Sequence, residues 1–176
     1  ARIETTAINE SEIAHNSAAF DAAASGNASS ATSLTYAHTC TGSNLAIGVG
    51  VTWGHSAART VDNVSYAANN LTSRAGAALQ SISVRSVIWG ATTANTGANN
   101  VVITLSSTTN SIIGGSISAT DVDQTTPFNT GASATGTAST SSTLDPAADS
   151  DDLIMDTIRC GELADTPVVG ADQTSR

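Results

Sequence analysis

The chain has 176 residues, of which 40% are hydrophobic, 12% are charged and 3% are aromatic. It contains 15 acidic residues but only six basic ones, all arginine, so its formal net charge is −9 at pH 7. This charge repels nucleic acid and anionic lipid, and no apolar run approaches the ~20 residues of a membrane helix. We therefore expect neither a nucleic-acid partner nor a membrane partner.

Residues 1–28 are acidic and only sparsely apolar, which sets them apart from the rest of the chain. Such a segment buries too little apolar surface to fold alone. We predict an N-terminal extended arm over residues 1–28, hinged at residues 25–27, and one β domain over residues 29–176. The arm either lies on its own domain or docks on a neighbouring subunit. The residues predicted to make its contacts are Ile3, Thr5, Ala7, Ile8, Ile13 and Phe20.

The stretch from Leu34 to Trp53 carries the clearest strand signal. Its first half alternates with a period of two, which places Leu34, Tyr36, His38 and Cys40 on one face. In its second half an apolar stripe from Leu45 to Trp53 alternates with Ala46, Gly48 and Gly50. We predict two strands paired through a turn at residues 41–44. The glycine-bearing face should admit another backbone or a bulky residue at close range.

Short apolar runs separated by turn residues continue to the C-terminal part of the chain. We predict further strands near residues 61–66, 81–89, 101–105, 112–120 and 153–160, and a weak edge strand within residues 121–143. Glycines 114 and 115 should mark a bulge or close packing. The pattern predicts an all-β fold, an antiparallel two-sheet β-sandwich that carries the extended arm.

Two cysteines and two tryptophans stand out in a chain with few reactive or aromatic residues. Cys40 and Cys160 form an even pair, either a disulfide between an early and a late strand or two buried thiols. Without a close cysteine or histidine partner they do not suggest zinc. Trp53 and Trp89 are candidates for a sugar-stacking platform, but the scarcity of aromatics favours the core or an interface.

Histidine and aspartate residues suggest two further sites, neither of which matches an established motif. His38 lies on a predicted strand face, no Gly-x-Ser-x-Gly element is present, and a structural role is favoured over a general base. We predict no catalytic residues and no cofactor. Asp149, Asp151 and Asp152 are candidates for calcium, but their spacing is not that of an EF-hand and a solvated turn is favoured.

The strand and turn pattern also resembles a known group of domains. The runs FDAAASGNASSATSLTYAHTCTGSNLAIGVGVTW, VDNVSYAANNLT, TGANNVVITL, GGSISATDVDQTTPFNT and DDLIMDTIRC are similar to immunoglobulin-like or jelly-roll β-sandwich domains of phage structural proteins and bacterial surface or secreted proteins. Members of this group usually continue after a run like GADQTSR into a further strand. The resemblance therefore implies a sheet edge left open for a strand, such as the arm.

The resemblance and the composition imply a non-enzymatic structural protein. We expect a virion component, such as a phage capsid decoration, cement or tail protein. Its partners would be other copies of itself and a major capsid or tail protein. The alternative is an extracellular or cell-surface module, either an adhesin or a carbohydrate-binding domain.

Overall fold

The structure is a computed structural model that describes residues 17–54, 58–75, 85–134, 148 and 152–158. These residues form strands and loops, with no helix among them, and the strands build one antiparallel sheet of nearly barrel-like shape. The strands are β1 (Ala19–Cys40), β2 (Leu45–Gly54), β3 (Val61–Tyr66), β4 (Asn69–Asn70), β5 (Thr72–Ala75), β6 (Arg85–Thr93) and β7 (Gly97–Thr120).

The sheet is organised around β7, which has 24 residues. One side of β7 pairs with β1 along nearly its full length. Its other side is divided, because residues 101–105 pair with β3 and residues 111–119 pair with β2. Beyond β2 lie β6 and then β5, and beyond β3 lies β4. We call the part of the sheet around β2, β5 and β6 the β2 half, and the part around β3 and β4 the β3 half.

β1 and β7 run through both halves, and side chains of the two halves meet in the interior. A Cβ built on Gly114, in the β2 half, would lie 2.6 Å from Cδ1 of Ile103, in the β3 half of the same strand. The core between the halves is mostly aliphatic, as the low aromatic content predicts, with Tyr66 and Trp53 as its buried aromatic residues. Its largest side chains with less than 2% exposure include Tyr66, Leu45, Ile47, Ile103, Ile112 and Val49.

The predicted faces of the first two strands are confirmed, but their predicted pairing is wrong. Leu34, His38 and Cys40 are buried, as is the whole apolar stripe of β2. However, β1 pairs with β7 and β2 pairs with β6 and β7, so residues 41–44 form an arch between non-paired strands. The arch contains Gly42 and Asn44 at φ values of 88° and 50°, which these two residue types tolerate. Its carbonyls at Ser43 and Asn44 accept hydrogen bonds from the amides after β7.

Other boundaries differ from the prediction. Residues 19–28, assigned to the arm, belong to β1 and pair with β7, and the expected hinge at 25–27 lies inside that strand. Residues 121–134 contain no strand, and residues 135–143 lie outside the described ranges. Residues 152–158, the described part of the strand predicted near 153–160, join no β-ladder, so that prediction is wrong within these residues. The expected close packing at Gly114 is confirmed.

Candidate functional site

A buried polar cluster connects the two halves at one end of the sheet. His38 Nδ1 lies 2.9 Å from Oγ of Ser116, and His38 Nε2 lies 3.0 Å from Oγ of Ser118. Ser118 in turn donates to Oδ2 of Asp21 at 2.7 Å. His38, Ser116 and Ser118 are all buried. The start of β1, the end of β1 and the end of β7 are thereby joined through side chains.

Asp21 anchors this cluster to the arch. Its carboxylate accepts hydrogen bonds from the backbone amide and the hydroxyl of Thr41. Burial by itself would raise the pKa of Asp21, but the bonds from Thr41 and Ser118 outweigh that effect and lower it. Burial lowers the pKa of His38, against the opposing effect of the Asp21 charge. Near neutral pH the cluster therefore pairs an ionised Asp21 with a neutral His38.

The hydrogen-bond directions define the chemistry of the cluster. Because Ser118 donates its only hydroxyl proton to Asp21, its oxygen accepts from Nε2–H of His38, which leaves Nδ1 as an acceptor that faces the Ser116 hydroxyl. The Ser116 hydroxyl also donates to the carbonyl of Ala24 at 3.3 Å. A hydrolytic triad needs the reverse order, with the carboxylate on the histidine and the serine donating to the histidine. His38 is buried, as its place on the inward strand face predicts, and its two ring nitrogens face two serine hydroxyls.

The glycine-bearing face of β2 is covered by a segment from late in the chain. A Cβ on Gly48 would lie 2.5 Å from Sδ of Met155, and one on Gly50 would lie 3.0 Å from Cβ of Thr157. Ser86 of β6 donates to the carbonyl of Thr157 at 3.3 Å. The predicted close approach to this face is thus confirmed, and residues 152–158 make it.

Phe128 extends the same cover onto β6. A Cβ on Gly90 would lie 2.9 Å from Cε1 of Phe128. The guanidinium of Arg74 lies 4.2 Å from the centre of the Phe128 ring and donates to the carbonyl of Gly90. Three glycines on the outer face therefore receive three side chains, each of which fills the place of a missing Cβ.

The cover leaves apolar side chains on the surface. Met155 and Thr157 point toward the sheet, whereas Ile154 and Ile158 point outward and are 56% and 54% exposed. Leu153 and, on β7, Ile113 are exposed as well. These four side chains and Phe20 are the large hydrophobic residues that are exposed among the described residues.

The outer edge of β1 is open along most of the strand. From Ala22 to Cys40, β1 pairs with β7 and with no other described strand, so its second edge carries N–H and C=O groups without a strand partner among the described residues. Natural sheets usually guard an edge with lysine, proline, inward-pointing charges or short length. This stretch contains no Asp, Glu, Lys, Arg or Pro.

The structure describes only some of the sequence-predicted site residues. Trp53 is 3% exposed, which leaves no ring face for a sugar, and Trp89 packs against the core as favoured. Cys40 is a buried free thiol. Phe20 lies in β1 and Asp152 accepts from Asn129. The others lie outside the described residues: Ile3, Thr5, Ala7, Ile8, Ile13, Asp149, Asp151 and Cys160.

The described ranges contain no group of three residues suited to hold a metal ion. They also contain no helix long and apolar enough to cross a membrane. Sequence reasoning missed Asp21, Thr41, Ser116 and Ser118. The one available signal was the alternation of serine with apolar residues over 116–119, which places two hydroxyls on an inward face.

The chain matches no protein-family model, and no curated protein or solved structure matches it either.

Proposed function

We propose that this chain is a non-enzymatic structural protein that assembles with other copies of itself. More specifically, we propose a phage virion component, such as a capsid decoration, cement or tail protein, with a major capsid or tail protein as its second partner. We further propose that its sheet belongs to the immunoglobulin-like or jelly-roll type of two-sheet sandwich. The strand pattern supports that fold type, and the contact between the Gly114 position in the β2 half and Ile103 in the β3 half is compatible with it.

The observation that supports an assembly role is the open edge of β1. An unpaired, uncharged strand edge is a template for a strand from another chain. Within the described residues, the stretch from Ala22 to Cys40 meets that description. The exposed apolar side chains at Leu153, Ile154 and Ile158 add a second surface that favours contact with a partner.

The N-terminal residues are proposed as a second assembly element. Ile3, Ile8 and Ile13 supply apolar side chains along residues 1–16. Ile3, Thr5 and Ala7 are spaced two residues apart, as on one face of a strand. Docked on a neighbouring copy, this segment would link subunits beyond a pair. The alternative, a carbohydrate-binding module or adhesin, loses one of its two proposed platform residues because Trp53 is buried.

Light scattering of the purified chain, with and without residues 1–16, tests the assembly role. The deletion stops at residue 16 because β1 begins at Ala19 and a longer deletion would remove sheet residues. We expect the intact chain to form defined oligomers and the shortened chain to form smaller ones. Equal masses for the two chains would refute the role of the N-terminal segment. Monomers in both cases would refute self-assembly altogether.

The virion assignment has a separate test. Purified phage particles from the source of this sequence should contain the chain in fixed stoichiometry with the major capsid or tail protein, as measured by quantitative mass spectrometry. Its absence from such particles would refute a virion role while leaving self-assembly unaffected.

A further inference from the structure

We propose that the outer edges of β1 from two copies pair antiparallel across a two-fold axis, so that one sheet continues into the other. This inference rests on the proposed assembly role and specifies the partner of the open edge, a second copy of the chain. It differs from docking of the N-terminal segment, since it uses only residues of the sheet.

Strand length is the first argument. β1 has 22 residues, and β7, with 24, already has partners on both sides. None of the remaining described strands exceeds the 10 residues of β2. No other described strand is therefore long enough to cover the whole second edge of β1, which stays open among the described residues. A second copy presents the same open edge, so a two-fold axis uses the two edges equivalently.

Charge is the second argument. Each copy has a net charge of −9, so most surfaces of two copies repel each other. The stretch from Ala22 to Cys40 has no formally charged residue apart from the buried His38. Antiparallel pairing also places the two Asp21 carboxylates at opposite ends of the contact, roughly 30 Å apart at ~3.3 Å per residue. The edge is thus a surface on which two acidic copies meet without opposing carboxylates.

Local geometry limits the register of the pairing. Register shifts against β7 lie at Phe20/Ala22 and Ala31/Ser33, and Ser30 has a φ of 50°, so the regular stretch is Ala22–Ser29. A two-fold axis perpendicular to the sheet places residues of the same face opposite each other. One residue of the strand must therefore lie opposite its own copy in the second strand. The middle residues are Ser25 and Gly26. The exposed side chains around this centre are small: Ala23, Ser25, Asn27 and Ser29.

A matched pair of lysine substitutions tests the edge. In Ser25→Lys, two ammonium groups meet near the two-fold axis, whereas Ser73→Lys adds the same charge to β5, the edge strand at the other end of the sheet. We expect the dimer dissociation constant of Ser25→Lys to rise about tenfold or more, and that of Ser73→Lys to stay near wild type, by sedimentation of the full chain. Equal constants for the two variants would overturn the pairing.

Cross-linking gives a second readout that does not depend on loss of assembly. Ser25→Cys and Ser73→Cys are treated with a short bis-maleimide, and the wild-type chain, with Cys40 and Cys160, sets the background. We expect covalent dimers above background from Ser25→Cys only. Larger assemblies that show no such dimer and no effect of Ser25→Lys would overturn this inference but leave the assembly role standing. Dimers that persist unchanged without residues 1–16 would support the pairing of β1 edges and would refute the assembly role proposed for residues 1–16.

Discussion

Gly114 and Gly115 are adjacent on β7 yet face opposite sides of the sheet, and alanine should therefore have opposite effects at the two positions. A Cβ on Gly114 would lie 2.6 Å from Cδ1 of Ile103, 2.9 Å from Cε1 of Tyr36 and 3.2 Å from Cδ2 of Leu34. A Cβ on Gly115 would meet nothing within 4 Å. Neither glycine has a left-handed φ, so the contrast is one of packing alone.

The magnitude follows from how little the neighbours of Gly114 can move. Carbon atoms rest at about 3.5–4.0 Å, so the contact with Ile103 would be too short by roughly 1 Å. Ile103 is 0% exposed, and Tyr36 packs closely over Gly26, since its Cδ1 atom lies 3.0 Å from the Cβ position of that glycine. Neither side chain has free space to move into. Overpacking of this kind costs about 1–3 kcal/mol. For Gly115→Ala we expect no loss, and a gain of up to about 1 kcal/mol from reduced entropy of the unfolded chain.

Urea unfolding of the full chain at pH 7, followed by circular dichroism, measures both variants. Gly114→Ala should lower the midpoint with an unchanged slope, and its melting temperature should fall by roughly 2–12 °C. Gly115→Ala should unfold at or above the wild-type midpoint. A Gly114→Ala protein as stable as wild type would mean that the two halves do not pack as described. An equal loss in both variants would point to glycine-specific backbone demands instead.

Three further predictions concern the polar cluster and the cover. The pKa of His38 is lowered from 6.5 and that of Asp21 from 3.8. The contribution of each group to the free energy of unfolding should therefore be lost in two steps, the first as the pH falls below about 6.5 and the second as it falls below about 3.8. His38→Gln should remove the first step in urea titrations, and an unchanged first step would assign it elsewhere. Ser118→Ala should cost about 1–3 kcal/mol in the same assay, since it leaves Nε2–H of His38 buried without an acceptor, and wild-type stability would contradict the bond. Met155→Ala should speed proteolytic cleavage within residues 152–158, with exposed Ile154→Ala as its control, and equal cleavage rates would show that Met155 does not anchor the segment.

The strand faces could be predicted from sequence because alternation is a local property. Leu34, His38 and Cys40 are inward in the structure as in the pattern. The partner of each strand was not predictable in this way. Residues 41–44 contain turn-forming types that suit a hairpin and an arch equally, and the choice depends on β7, which begins more than fifty residues later.

The first half of β1 was missed for a related reason. Residues 19–33 are mostly alanine and serine, which give almost no hydropathy contrast between alternate positions. Their strand conformation comes from pairing with β7 rather than from their own propensity. The polar cluster was hidden in the same way, since the bond between Ser118 and Asp21 joins residues 97 positions apart. The glycine-bearing face of β2 was predictable because alternating glycines can be read directly from the sequence. Its contact with Met155 was not, since that residue lies far away along the chain.

The proposed two-fold pairing also bears on how a long, uncharged edge avoids open-ended aggregation. An open edge that pairs heterologously adds copies without limit, whereas pairing across a two-fold axis uses both edges at once and stops. The opposite edge of the sheet, β5, has four residues and carries Arg74, features that discourage a second round of pairing. A closed pair with a combined net charge of −18, twice the −9 of one chain, would then repel other pairs. Growth into a larger structure would require a separate element, which is the role proposed for residues 1–16.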